Sequence, residues 1–310
     1  MAAALLLAAC GEDEASTSAT ATQSTTAASG GYSPVSDVDP HAAIGKDIAE
    51  IRAILEPAKE GKDADFAAAA AIWSDGANSV KDDGSKRTLA SFVEGTDVET
   101  HVDAALGGTG DAADLDAAQR RQWVDKGTTV ALRAKVLAEL DAAREKAAAG
   151  ETDPADGAPH NVDEAWAFYV AEGEGIQSTA EKRAADYGLP ENELSDEVVA
   201  ALTAALTAAQ AGDAQALERA QEQTRGALNT IFAMAVNKYA VEGQNDPVAQ
   251  EEGRAFAWAL LDDLPAAQAE ELSAAFDGKM SAADAEQVAT LLDEQRDALA
   301  ITRELPAFKG

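Results

Sequence analysis

The sequence predicts an all-α protein, an antiparallel helical bundle, and three observations carry that reading. Alanine, the best helix former, recurs along the whole chain, while strand formers are sparse and aromatic residues make up 5%. Apolar residues return at helical spacing, as in Ile44, Ile48, Ile51 and Leu55. The connections between such stretches are short, which favours antiparallel neighbours.

The N-terminus reads differently. Residues 1–9 form a short apolar run ending Leu7-Ala8-Ala9-Cys10, the pattern of a bacterial lipoprotein signal peptide, too short to span a bilayer. Cys10, the single cysteine, is then the lipidation site, and its acyl chains would hold the protein on a membrane outside the cytoplasm. Residues 10–37 are rich in Ser, Thr and Ala and read as a disordered tether, Tyr32 included. The helical domain is therefore expected over residues 38–310.

Within it, Asp39-Pro40 reads as a cap followed by proline in the first turn, opening a helix that Pro57 and Gly61 close. Further helices are expected over 63–73, 96–106 and 114–148, the last divided at Gly127-Thr128-Thr129. The run G-E-T-D-P-A-D-G-A-P-H marks a boundary. Asn161 with Glu164 reads as the capping pair of the next helix, through Ala171. Helices over 195–211, 213–242 and 248–264 follow, and Ser281 with Asp284 caps another. An echo links I-W-S-D-G-A-N-S and S-K-R-T-L-A-S-F to F-Y-V-A-E-G-E-G and A-E-K-R-A-A-D-Y. If it records a duplication, the halves are 38–150 and 158–310, and Asp75 with Arg87 corresponds to Glu172 with Arg183.

The net charge of -32 repels nucleic acid and anionic surfaces and attracts cations. No fingerprint of a metalloprotease, serine hydrolase, phosphate loop or dinucleotide site occurs, so the chain does not read as an enzyme. His41, His101 and His160 lie in or beside turn-like positions and read as surface residues. Oxygen donors are abundant, and hard cations prefer them, ferric iron favouring phenolate in particular. Tyr169, Tyr187 and Tyr239 are the phenols to weigh, with core packing the alternative for each. Glu172 and Glu174 alternate with glycines that let the backbone turn. Arg87 and Arg183 could hold an anion or form ordinary ion pairs.

The segments A-W-A-F-Y-V-A-E-G-E-G with E-K-R-A-A-D-Y-G, N-T-I-F-A-M-A-V-N-K-Y-A and Q-E-E-G-R-A-F-A-W-A-L-L resemble successive blocks of the algal Fe-assimilating proteins. These are the high-CO2- or low-iron-inducible periplasmic proteins, whose domain recurs in phytotransferrins. W-S-D-G-A-N-S-V-K-D-D-G-S-K-R-T-L is similar to that family's repeated D-G-x-N-S-x-K-x-x-G-S-x-R-T-L element. The resemblance spans roughly Ala43 to Leu264. It implies extracytoplasmic binding of ferric iron, Fe(III), with carbonate as a synergistic anion and an iron transporter or reductase as recipient. On the matching positions Tyr169, Glu172, Tyr187, Tyr239 and Glu252, with Asp75 through the internal echo, become the metal-side candidates. Arg183 and Arg87 become the anion holders. Lys238 stands where an Arg is expected, and Q-E-E-G-R-A-F-A lacks the aromatic-Arg pair of that block. The competing reading is a helical scaffold or partner-binding lipoprotein that carries no metal.

Overall fold

The computed structural model describes residues 31–308. The signal segment, Cys10 and most of the expected tether lie outside the described residues. The chain forms an all-α bundle whose longest members are α5 (Ala117–Ala149) and α9 (Ala214–Gly243). α5 packs against α4 (Asp97–Gly107), α6 (Ala158–Val170) and α10 (Pro247–Leu261), and α9 packs against α8 (Glu193–Ala211) and α10. The other helices are α1 (Asp39–Ala42), α2 (Ile44–Leu55), α3 (Phe66–Asp75), α7 (Ile176–Asp186), α11 (Ala266–Ala274) and α12 (Ala282–Glu294). Extended pairing among the described residues is an isolated antiparallel bridge between Val80 and Lys86.

Local chemistry sets the helix ends. Asp116 and Gln119 form a reciprocal capping box at the start of α5, and Ser281 with Asp284 does the same for α12, as its sequence predicts. The expected division of α5 at Gly127 does not occur. Gly127 is needed for packing instead, because a Cβ there would sit 2.3 Å from Val102 Cγ2 of α4. Thr128 bonds back to the Asp125 carbonyl at 2.7 Å, so its hydroxyl is satisfied within the helix.

Two further expectations need correction, and both matter for the site. α6 starts at Ala158 with Pro159 in its first turn, so Asn161 is interior and not a cap. Its amide reaches Glu139 of α5 at 2.5 Å. The ordered chain also begins ahead of Val38. Tyr32, expected in a tether, is fully buried, stacks on Trp166 at 4.6 Å and donates to Asp163 at 2.7 Å. Asp163 also accepts from the backbone of Val35 and Ser36, both at 2.8 Å, so residues 32–36 are strapped across α6. Replacing Tyr32 by Phe should keep the ring packing and cost about 1.5–3 kcal/mol, the range for a hydrogen bond to a charged group, read as a lower urea midpoint.

The internal echo holds in local structure for the acid-Gly ends of α3 and α6 but not for the Lys-Arg pairs. Lys86-Arg87 lies in the loop after α3, whereas Lys182-Arg183 lies inside α7.

Candidate metal centre

The loop from Gly76 to Leu89 is tied down by buried polar groups. Asp47 of α2, fully buried, accepts from the backbone N–H groups of Ala77 at 3.1 Å and Asn78 at 2.8 Å, and from the Asn78 side chain at 2.7 Å. Ser79 donates to the Pro40 carbonyl at 2.7 Å, and Arg87 N–H to the Ser79 carbonyl at 2.9 Å. Asp-Gly-Ala-Asn-Ser therefore reads as an anchor. Its consequence is to place Arg87 over α1, where the guanidinium meets His41 Nε2.

His41 is one of three metal-binding side chains that converge there. His160 and Glu164 are four residues apart on α6 and so share a face. Glu164 Oε1 lies 2.7 Å from His41 Nε2 and 3.1 Å from His160 Nε2. One ligand atom from each of the three falls within 4.8 Å of the others, the one such grouping of His, Cys, Asp and Glu among the described residues. They line a cavity of about 640 Å³ together with Ser36, Asp82, Arg87 and Asp153.

Neighbouring groups fix the protons. Ser36 Oγ lies 2.8 Å from Asp163 and 3.0 Å from His160 Nδ1. Its one proton goes to the carboxylate, so it accepts from Nδ1–H and leaves Nε2 facing Glu164. His160 is pushed up by its hydrogen bond to Glu164, which outweighs burial. Burial alone would raise Glu164, but hydrogen bonds from His160, His41 and Glu139 hold it well below the carboxylate range. Glu139, buried and beside Glu164, is pushed the other way, upward, against the pull of Lys135. His41 Nε2 is over-subscribed, since it carries at most one proton and cannot both donate to Glu164 and accept from Arg87. A cation between Nε2 and the carboxylate would use both lone pairs and release the His160 proton.

These shifts fix a pH dependence for the metal-free fold. The raised His160 stabilises it below the ordinary 6.5 and loses that contribution as pH rises through its folded value. The lowered Glu164 stabilises it above the ordinary 4.5 and loses that contribution as pH falls. Urea midpoints should therefore peak between these two values and decline toward alkaline pH, and His160→Gln should flatten the alkaline side.

The structure brings together only some of the residues expected from the sequence. Tyr239, Glu252 and Arg183 are neighbours: Arg183 lies 5.1 Å over the Tyr239 ring, and the Glu252 carboxylate acts on its hydroxyl. Cations dominate their surroundings. Lys126 pairs with Glu252 at 2.9 Å, and Lys238 sits 4.5 Å over the same ring. Burial and Glu252 push Tyr239 up to about 12, so its phenol holds its proton. Arg183 pairs with Asp186 at 2.8 Å. Tyr187 donates to the Met234 carbonyl at 2.8 Å, and burial pushes it up as well.

The remaining candidates are elsewhere. Tyr169 is fully buried, packs against Trp166 and donates to Ser195 at 3.0 Å, so its place is the core. Glu172 stands in a left-handed turn and pairs with Lys46 at 3.1 Å. Asp75 is exposed at the end of α3 beside Ser74. Arg87, proposed as an anion holder, reaches the histidine cluster. His41 and His160 read as surface residues in the sequence and Glu164 as a capping partner; His41 is instead buried, and the H-x-x-x-E spacing is the one local signal that joins His160 to Glu164.

An all-helical chain whose described part gathers two imidazoles and a carboxylate at a cavity defines a helical protein with a candidate transition-metal centre. The chain belongs to the low iron-inducible periplasmic protein family, Fea1, whose profile matches residues 3–189. The matched span contains His41, Arg87, His160 and Glu164, whereas Tyr239 and Glu252 lie beyond it. No curated protein and no solved structure matches the chain.

Proposed function

We propose that this protein captures iron outside the cytoplasm as a binding protein and not an enzyme, with His41, His160 and Glu164 as its ligands. The observation that carries the reading is the convergence of those three donors within 4.8 Å on a cavity. Two imidazoles and one carboxylate leave coordination positions open and suit iron among the first-row metals. Family membership supports iron as the cargo. Arg87 beside the open side supplies a charge for an anion, carbonate in the simplest case, that would complete the shell of ferric iron. In this reading the phenols contribute packing and hydrogen bonds, because each is protonated and either core-bound or flanked by lysine and arginine.

Titrating the purified protein with ferric and ferrous iron, with and without bicarbonate, tests the proposal. One equivalent should bind, with bicarbonate tightening ferric iron and Arg87→Ala removing that gain. A chain that takes up no iron in any condition fits the scaffold reading instead. Attachment through acylated Cys10 would keep the site at a membrane surface, near the transporter or reductase that receives the metal. Cys10→Ser should then move the protein from the membrane fraction to the soluble one.

A further inference from the structure

A second cavity, of about 510 Å³, lies among α4, α5, α10 and the segment after α11, and shares no lining residue with the first. Its apolar wall is aromatic. His101 stacks on Trp258 with ring centroids 4.8 Å apart, and Trp123 meets Trp258 edge-on at 5.2 Å. That wall is held in place by other lining residues: Trp123 Nε1 donates to Glu251 at 2.8 Å, and Glu251 pairs with Arg254 at 3.0 Å. Arg254 also reaches Asp277 at 2.9 Å and the Phe276 carbonyl. The arginine of the lining is thus paired with two carboxylates of its own surroundings.

The lining also carries Asp97 and Asp111, neither of which pairs with a lysine or arginine among the described ion pairs. His101 does not offset them, since burial pushes its pKa down and leaves it neutral. Its Nδ1 is buried without a hydrogen-bond partner and lies 3.7 Å from an Asp111 oxygen, too far for a hydrogen bond. In the tautomer that carries its proton on Nε2, His101 Nδ1 is an acceptor, and it then faces the Asp111 carboxylate across one gap. A negatively charged ligand would meet an excess of carboxylates, whereas a cation gains both from them and from the aromatic wall.

We propose that this cavity binds a small organic ammonium ion with a flat apolar body, its ring against Trp123, His101 and Trp258 and its N–H groups bridging His101 Nδ1 and Asp111. An ammonium supplies donors for His101 Nδ1 in that tautomer and for Asp111, and the flat body fills the aromatic side. The site is separate from the iron ligands and stands whether or not they bind metal.

Calorimetric titration of the full chain with 2-phenylethylamine and with phenylacetate, which share a ring and differ in charge, tests this. The amine should bind saturably with one equivalent at millimolar concentrations or below, and phenylacetate should not. The Asp97→Asn/Asp111→Asn double variant should weaken the amine about ten- to a hundredfold, the worth of a charge-assisted hydrogen bond. Asp111 is 75% exposed, so its replacement leaves the fold in place, checked by an unchanged urea midpoint. Absence of saturable binding by the amine, equal binding by phenylacetate, or an unchanged affinity in the double variant would each overturn the proposal.

Discussion

Replacing Glu164 by Ala is expected to lower iron affinity by more than the roughly 10–100-fold that loss of an outer-shell partner costs a metal site. The reason is the position of Glu164 between two imidazoles, at 2.7 Å from one and 3.1 Å from the other. Its oxygen is the only carboxylate ligand of the group, and its charge is what offsets the cation. Without it the two imidazoles lose the carboxylate between them, while Arg87, which repels the metal, stays, with Asp82 and Asp153 left on the cavity wall. Tyr239→Phe should leave the affinity within a few-fold, because that phenol is pushed up to about 12 by burial and Glu252, and Glu252 is itself paired with Lys126. Competition with a chelator of known affinity measures both variants. Equal loss in the two would return the phenols to the site.

Gly45→Ala should cost about 3 kcal/mol of stability, at the upper end of what overpacking usually costs. Helix propensity alone argues the other way, since Ala is favoured over Gly inside a helix such as α2 by about 1 kcal/mol. Sterics decide the sign. A Cβ on Gly45 would lie 1.9 Å from the Ala171 carbonyl oxygen, and backbone cannot swing aside as the end of a side chain can. Ala171 and Glu172 already hold positive φ angles of 37° and 47°, so the turn has little room to yield. α2 would have to move away from the end of α6, shifting His41 relative to His160 and weakening iron binding as well. A urea midpoint equal to or above that of the wild type would show that the contact gives way easily.

Much of the architecture is legible in the residues because helix formation here is local. Alanine content, the Ile44 to Leu55 periodicity and the Ser281–Asp284 cap all act within a few residues, and the structure follows them. Contacts that depend on distant chain are a different matter. The close approach of Val102 explains Gly127, and only the fold reveals it. Asp163 draws Tyr32 out of an apparently featureless tether for the same reason.

The site was less legible than the fold. Tyrosines stand out in so aromatic-poor a sequence, but large rings are also what fills a core built of alanine, and Tyr169 does that. The turn-rich run before α6 and the cap-like Asn161 put His160 outside a helix in the sequence, which hides its four-residue relation to Glu164. His41 joins them from more than a hundred residues away, and nothing local announces it. Arg87, a candidate anion holder from its side chain, lies against His41, and the Asp-Gly-x-Asn-Ser residues before it are the anchor that places it.

The central claim is that imidazole, not phenolate, holds the metal. X-ray absorption on the iron-loaded protein addresses it directly. The account predicts the outer-shell scattering of two histidine rings, reduced in His160→Ala and in His41→Ala. An inner shell of oxygen alone, with a visible phenolate-to-iron charge-transfer band, would contradict it.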